Sequence, residues 1–144
     1  MKTLLLATFA LSLFAPDAPA LPEAHFKVVV NADNPVNELE AEQIGRLFLR
    51  QDTRWRNGTA AEPVDQSARA TIRSDFSTKI HRKPVSGIQR YWQKQIFSGR
   101  GTPPPVSESD DAVLSFVRSR PGAIGYVSAD AEVGDGVKIV AVSP

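Results

Sequence analysis

Pro121-Gly122-Ala123-Ile124-Gly125-Tyr126-Val127 is the stretch on which the fold turns. Proline and glycine together end the helix before them, and the residues that follow form an uncharged apolar run of strand length. They read as a buried strand. Gly122 can end a helix with positive φ, and Gly125 lets a neighbouring backbone come close. The Tyr126 ring packs while its hydroxyl needs a partner. Upstream, Ser107 or Ser109 caps a helix with Asp110 and Asp111 in its positive first turn and Arg118 and Arg120 near its negative end. Downstream, Gly134-Asp135-Gly136 turns the chain into a last strand, Val137 to Val142.

The same reading extends to the rest of the chain. His25 to Val30 is β-branched and opens at Asn31 into a polar loop with Asp33, Asn34 and Pro35, as a buried strand does. Leu39 to Leu49 is a helix carrying Ile44, Leu47 and Phe48, with Glu40 and Gln43 spaced as a capping box and Leu39 and Ile44 as a staple. Asn57-Gly58 is a turn, and Ala60 to Val64 is a short second strand. Ser67 is a candidate cap for a helix with Ile72, Phe76 and Ile80 in a stripe, stopped by Pro84. A further helix from Ser86 carries Ile88, Tyr91, Trp92, Gln95 and Ile96. Of the adjacent aromatics, one belongs to the core and the other to its flank. The expected core comprises Val29, Ile44, Phe48, Ile72, Phe76, Ile124 and Val140. The order β-α-β-α-α-α-β-β predicts an α/β sandwich with helices over a mostly parallel sheet.

Composition narrows the chemistry. The 144 residues include no cysteine, which excludes disulfides, thiol catalysis and cysteine-held metals. Seventeen Lys and Arg against 16 Asp and Glu leave a formal charge of +1, too balanced for a nucleic-acid binder. The charge is unevenly placed: residues 46–100 sum to +8, residues 21–45 to −4 and residues 101–144 to −3. Met1-Lys2, the apolar Leu4 to Phe14 and Ala18-Pro19-Ala20 predict a secretory signal over residues 1–20, cleaved after Ala20. Residues 21–144 would then form one domain. The apolar run is too short to span a bilayer as a helix, so no stable membrane insertion is expected.

Taken in order, several segments resemble a known family. Val28-Val29-Val30-Asn31 with Asn34-Pro35, then Leu39 and Ile44 to Phe48, is similar to the strand, loop and helix of one lobe of phosphate-binding proteins. These are the periplasmic substrate-binding components of phosphate ABC transporters. Trp55-Arg56-Asn57-Gly58 resembles the turn that follows. Arg73-x-x-Phe76, Tyr91-Trp92 and Ile96-Phe97-Ser98-Gly99-Arg100-Gly101 resemble a short, stand-alone branch of the group. Pro121 to Val127 is close to the group's Pro-Gly-Ala-Ile-Gly-Tyr signature. The resemblance covers residues 26 to about 142. It implies a single three-layer α/β sandwich like one lobe of a type 2 periplasmic binding protein, a periplasmic location, and a small anion such as phosphate as ligand.

The chain also departs from that pattern. Full-length members trap phosphate between two lobes, and this chain matches one. In relatives that lobe supplies an Arg and a Ser-Gly-Thr-rich turn; here Val64 to Thr71 has no such triplet, and Asp65-Gln66 stands where the Arg is expected. Phosphate binding should therefore be weak, and a protein partner or a second copy of the chain would take the place of the missing lobe.

Six residues are candidates for ligand binding. Asn31 and Asn34 end the first strand, where open α/β sheets bind ligands. Their plainer role is an asparagine turn. Gln66, Ser67, Arg69 and Arg73 lie at the start of the second helix, where amides, a hydroxyl and guanidinium groups suit an oxyanion. The plainer role is a serine cap with two surface arginines, one pairing with Asp65 or Asp75. His25 and His81 have no neighbouring nucleophile in sequence, and zinc spacing and nucleotide-binding motifs are missing. No catalytic residue, metal site or cofactor is expected. Two classes of function follow: a binding module for a small anion or a protein partner, and an envelope scaffold that keeps the lobe fold without a ligand.

Overall fold

The computed structural model describes residues 25–144. The secretory signal expected over residues 1–20 lies outside the described residues. The chain forms a mixed five-stranded sheet covered on both faces. β1 (Phe26–Asn31) is central, flanked by β6 (Ala123–Ser128) and β7 (Val137–Ser143), with β2 (Glu38–Glu40) and β3 (Glu62–Pro63) at the edges. Val28 and Val30 enter the core on one face, and Val29 enters the core on the other. The unbroken valine run follows from burial on both sides.

One face is covered by α1 (Ala41–Phe48), α2 (Thr71–Phe76) and a π-helical turn at Ser77–His81 that continues α2. The other is covered by α4 (Asp110–Arg118). The outcome is the expected three-layer sandwich. The sheet is not mostly parallel, however. β1 runs antiparallel to both β6 and β7, while β2 pairs parallel with β7 and β3 parallel with β6. A hydrophobic run reports that both faces are buried but carries no sign of strand direction, so this feature was not readable locally.

Local signals mostly hold. The Glu40 N–H donates to Gln43 Oε1 at 2.9 Å, and Ser109 Oγ accepts from the Ala112 N–H at 3.1 Å. Leu39 lies in β2 rather than in α1, but it still shares a core with Ile44. The second helix ends at Arg82, which adopts a left-handed conformation, and Pro84 becomes the N-cap of α3 (Val85–Phe97). The expected strand at Ala60 to Val64 contracts to β3, an edge strand that tolerates Pro63. A two-stranded ribbon of β4 (Asp65–Gln66) and β5 (Val106–Ser107) was too short to leave a period. Trp92 is buried, whereas Tyr91 flanks the core and donates its hydroxyl to Leu49 O at 3.0 Å. Every expected core residue is buried except Ile72, which packs half-buried at the margin.

The two signature glycines have different jobs from those expected. Gly122 does not need positive φ; a Cβ there would lie 1.9 Å from the Ala60 carbonyl oxygen. Gly125 admits side chains rather than backbone, since its Cβ would lie 2.7 Å from Val113 and 2.9 Å from Val64. Gly122 thus seats the Trp55 turn, whose Nε1–H donates to Gly122 O at 2.9 Å, and Gly125 lets α4 settle on the sheet. No helix among the described residues is long and apolar enough to cross a membrane.

Candidate functional site

The six candidate residues do not converge. Asn31 pairs with Val137, and the adjacent Val30 pairs with Ile124, so Asn31 sits at the start of β6 and β7. Gln66 donates to the Tyr126 carbonyl, two residues further along β6 than Ile124. Asn31 is thus level with Ala123, and Gln66 stands about 10 Å further along β6 at about 3.3 Å per residue, so the two groups lie toward the opposite edges formed by the ends of the strands. A single small anion cannot touch both.

At the first edge, Asn31 is fully engaged. Its Nδ2 donates to Val117 O at 2.9 Å and to Arg118 O at 3.1 Å, closing the C-terminal end of α4, and its Oδ1 accepts from the Asp33 N–H. Asn34 Oδ1 accepts from the Val36 N–H at 3.0 Å, as an asparagine turn does. Asn34 and Trp55 also help line a cleft of about 560 Å³. Three carboxylates (Glu38, Glu40 and Asp52) face it against two guanidinium groups, Arg54 and Arg56. That balance disfavours an anion.

At the second edge lies a sealed polar cluster. Asp65 is ion-paired with Arg73, Nε to Oδ1 at 3.1 Å, and accepts the Gln66 N–H at 2.8 Å and the Tyr126 hydroxyl. Gln66 Nε2 donates to Asp110 Oδ1 at 2.8 Å and to Tyr126 O at 3.1 Å, and the same Asp110 oxygen accepts from the Ser128 N–H. Asp110 therefore ties α4 to β4 and β6 in addition to complementing its helix dipole. Arg73 is no surface arginine: its side chain is 6% exposed, and Nη1 has no hydrogen-bond partner among the described residues. Ser67 caps nothing either. The N-cap of α2 is Ala70, and Ser67 Oγ accepts a long 3.4 Å bond from the Arg69 N–H. Arg69 is exposed.

Two titratable groups of this region are displaced from their ordinary behaviour. Burial, together with the Asp65 charge, raises the Tyr126 phenol far above its usual value, so it remains a proton donor. Burial, then the charges of Arg73 and Lys83, pushes His81 from 6.5 down to about 4. The Phe76 ring meets the His81 imidazole edge-on at 5.6 Å. Above pH 6.5 the imidazole is neutral in both folded and unfolded chains. As pH falls toward 4, the unfolded chain takes up a proton that the folded chain refuses, and stability drops. Urea unfolding is expected to lose about 1–3 kcal/mol over this window, after allowance for solvent reaching the ring. His81→Phe should flatten the dependence; an unchanged slope in that variant would assign it elsewhere.

Sequence reading named Asp65 only as a partner for an arginine, and Tyr126 only as a hydroxyl in want of one. Their union was not anticipated, because the residues are 61 apart in sequence. No group of three or more His, Asp or Glu among the described residues is placed to hold a metal ion.

No protein-family model matches the chain, and no curated protein matches it. Solved structures do. A phosphate-bound structure from Clostridium perfringens, assigned as a phosphate ABC transporter substrate-binding protein, matches with a TM-score of 0.60 and 20% identity over 82% of this chain and 44% of that one. An ABC-type phosphate transport receptor from Vibrio cholerae matches with a TM-score of 0.56 and 19% identity, covering 82% and 46%. A possible phosphate-binding protein from Planctomyces limnophilus matches with a TM-score of 0.62 and 14% identity, covering 83% and 41%. The chain thus has the fold of one lobe of substrate-binding proteins. It spans less than half the length of each. The first two are named as binding components of phosphate transport.

Proposed function

We propose that the chain is an exported, non-enzymatic binding module that keeps the lobe fold for docking a larger partner rather than for holding phosphate tightly. One observation carries this reading. The side chains best suited to grip an anion, Gln66 and Arg73, are sealed in bonds to Asp65, Asp110 and Tyr126. Removing them from that network to serve a ligand would leave buried polar groups unpaired, which is costly. Export to the periplasm rests on the secretory signal read over residues 1–20 and on the class of the structural neighbours.

A second reading, weak anion binding, is supported by the phosphate in the Clostridium structure and by the spare Nη1 of Arg73. Ser67 is half-exposed and Arg69 exposed in the segment that leads into the same helix. Millimolar affinity requires about 4 kcal/mol and micromolar about 8. A few charge-assisted bonds without a second lobe to exclude water reach only the former. Titration calorimetry with inorganic phosphate is therefore expected to give millimolar binding or weaker, reduced by salt and by Arg69→Gln. A micromolar one-to-one isotherm would overturn the docking reading and restore the chain as a complete phosphate receptor.

A further inference from the structure

α3 is the least embedded helix of the fold. Of its thirteen residues, Ile88 and Trp92 are buried. Its C-terminal tip carries Phe97 at 92% exposure and Ile96 at 53%. Singly exposed apolar residues are ordinary, but here two adjacent ones project together from a helix end. Arg90, Lys94 and Phe97 fall at i, i+4 and i+7, along one stripe of the helix. With Arg100 they line an open hollow of about 680 Å³.

The segment that carries this tip has charge of one sign. From Phe76 to Ser107 the sequence holds six Lys and Arg and no Asp or Glu. The flanking segments, residues 21–45 and 101–144, are net acidic. Three of these cations, Arg90, Lys94 and Arg100, line the hollow beside the projecting Phe97 and give this end of α3 a positive face.

We propose that the α3 tip docks on an anionic phospholipid surface, with Phe97 and Ile96 entering the headgroup boundary and Arg90, Lys94 and Arg100 meeting lipid phosphates. The inference deepens the docking reading and rests on it. Lipid is favoured over an acidic protein because a stable protein interface buries about 800 Å² per partner, and here the apolar area is a two-residue wedge. A wedge ringed by cations matches a bilayer interface, where apolar groups insert and basic groups stay at the phosphates. No described residue enters beyond the headgroup boundary in this arrangement; the attachment through α3 is peripheral and reversible.

The test is co-sedimentation of the protein, as recovered from its host, with vesicles of pure phosphatidylglycerol and of pure phosphatidylcholine. All variants keep the same termini, so any contribution from them cancels. Binding to phosphatidylglycerol alone is expected, abolished at about 1 M salt, where screening acts within about 3 Å. Phe97→Ser should weaken it by about tenfold, and Lys94→Gln by about fivefold. Both sites are exposed, so an unchanged thermal midpoint is expected and separates lost docking from lost folding. Equal binding to both vesicles, or wild-type binding by Phe97→Ser and by an Arg90→Gln, Lys94→Gln, Arg100→Gln triple variant, would overturn the proposal. So would Phe97-dependent binding to polyglutamate with none to vesicles, which would point to an acidic protein. Release from vesicles by inorganic phosphate, but not by chloride of equal ionic strength, would identify a small-anion site instead. The phosphate calorimetry above decides the broader reading independently of these outcomes.

Discussion

Asp65→Ala is expected to cost about 3–5 kcal/mol of stability, the range for removing one partner of a buried ion pair. The Asp65 carboxylate holds three partners at once: the Arg73 guanidinium, the Tyr126 hydroxyl and the Gln66 amide. Without it, a cation whose side chain is 6% exposed has no counter-charge, and the Tyr126 hydroxyl loses its acceptor. Small domains are stable by only about 5–15 kcal/mol, so the loss is a large fraction of the whole. Urea unfolding should show a lower midpoint at an unchanged slope. An Asp65→Leu, Arg73→Met double variant should recover the share due to the stranded Arg73 charge, and leave that of the Tyr126 hydroxyl, about 1–3 kcal/mol for a buried unpaired donor. A cost below about 1 kcal/mol for Asp65→Ala would mean that water reaches the cluster and that the pair is not sealed.

Phe76→Ala is expected to cost a similar amount, about 3–5 kcal/mol, by a different mechanism. Phe76 is fully buried and stacks on Tyr126 with ring centroids 3.9 Å apart and planes 5° from parallel. It also meets Phe48 at 4.8 Å and Phe26 edge-on at 5.3 Å. These rings come from α2, α1 and the sheet, so truncation opens a cavity where one covering layer meets the sheet. Tyr126 joins this ring stack to Asp65 through its hydroxyl. For the same reason the Phe76→Ala and Asp65→Ala effects should not add: both act through Tyr126, and contacting residues typically couple by about 0.5–3 kcal/mol. Additivity within about 0.5 kcal/mol would show that the aromatic core and the polar cluster are energetically separate.

The legibility of the candidate site differs from residue to residue. Asn31, Asn34 and Gln66 stood out as polar residues at strand ends, and all three are buried and bonded. What they bond was hidden. Asn31 meets Val117 and Arg118 across more than eighty intervening residues, and Gln66 meets Asp110 and Tyr126 across more than forty. Ser67 looked like a helix cap because it precedes an apolar stripe, yet α2 begins four residues later at Thr71. Arg73 was read between a ligand group and a surface pair. Its depth depends on where the helix lies over the sheet, and periodicity gives the buried face of a helix without saying how far a flanking arginine sinks.

By itself the sequence determined most of the element types, most of the core, the capping box at Glu40 and Gln43, a serine cap on α4 and a sheet buried on both faces. Each of these depends on side chains within a few residues of one another, where helix and strand periods act directly. The tertiary structure alone decided that β1 runs against its two central neighbours, that the six candidate residues divide between opposite edges of the sheet, and that Arg73, Asp65 and Tyr126 form one sealed cluster. Those outcomes depend on which distant segments become neighbours. A local pattern of apolar and polar residues is the same for either strand direction and for a paired or a free arginine, so only the packed chain distinguishes them.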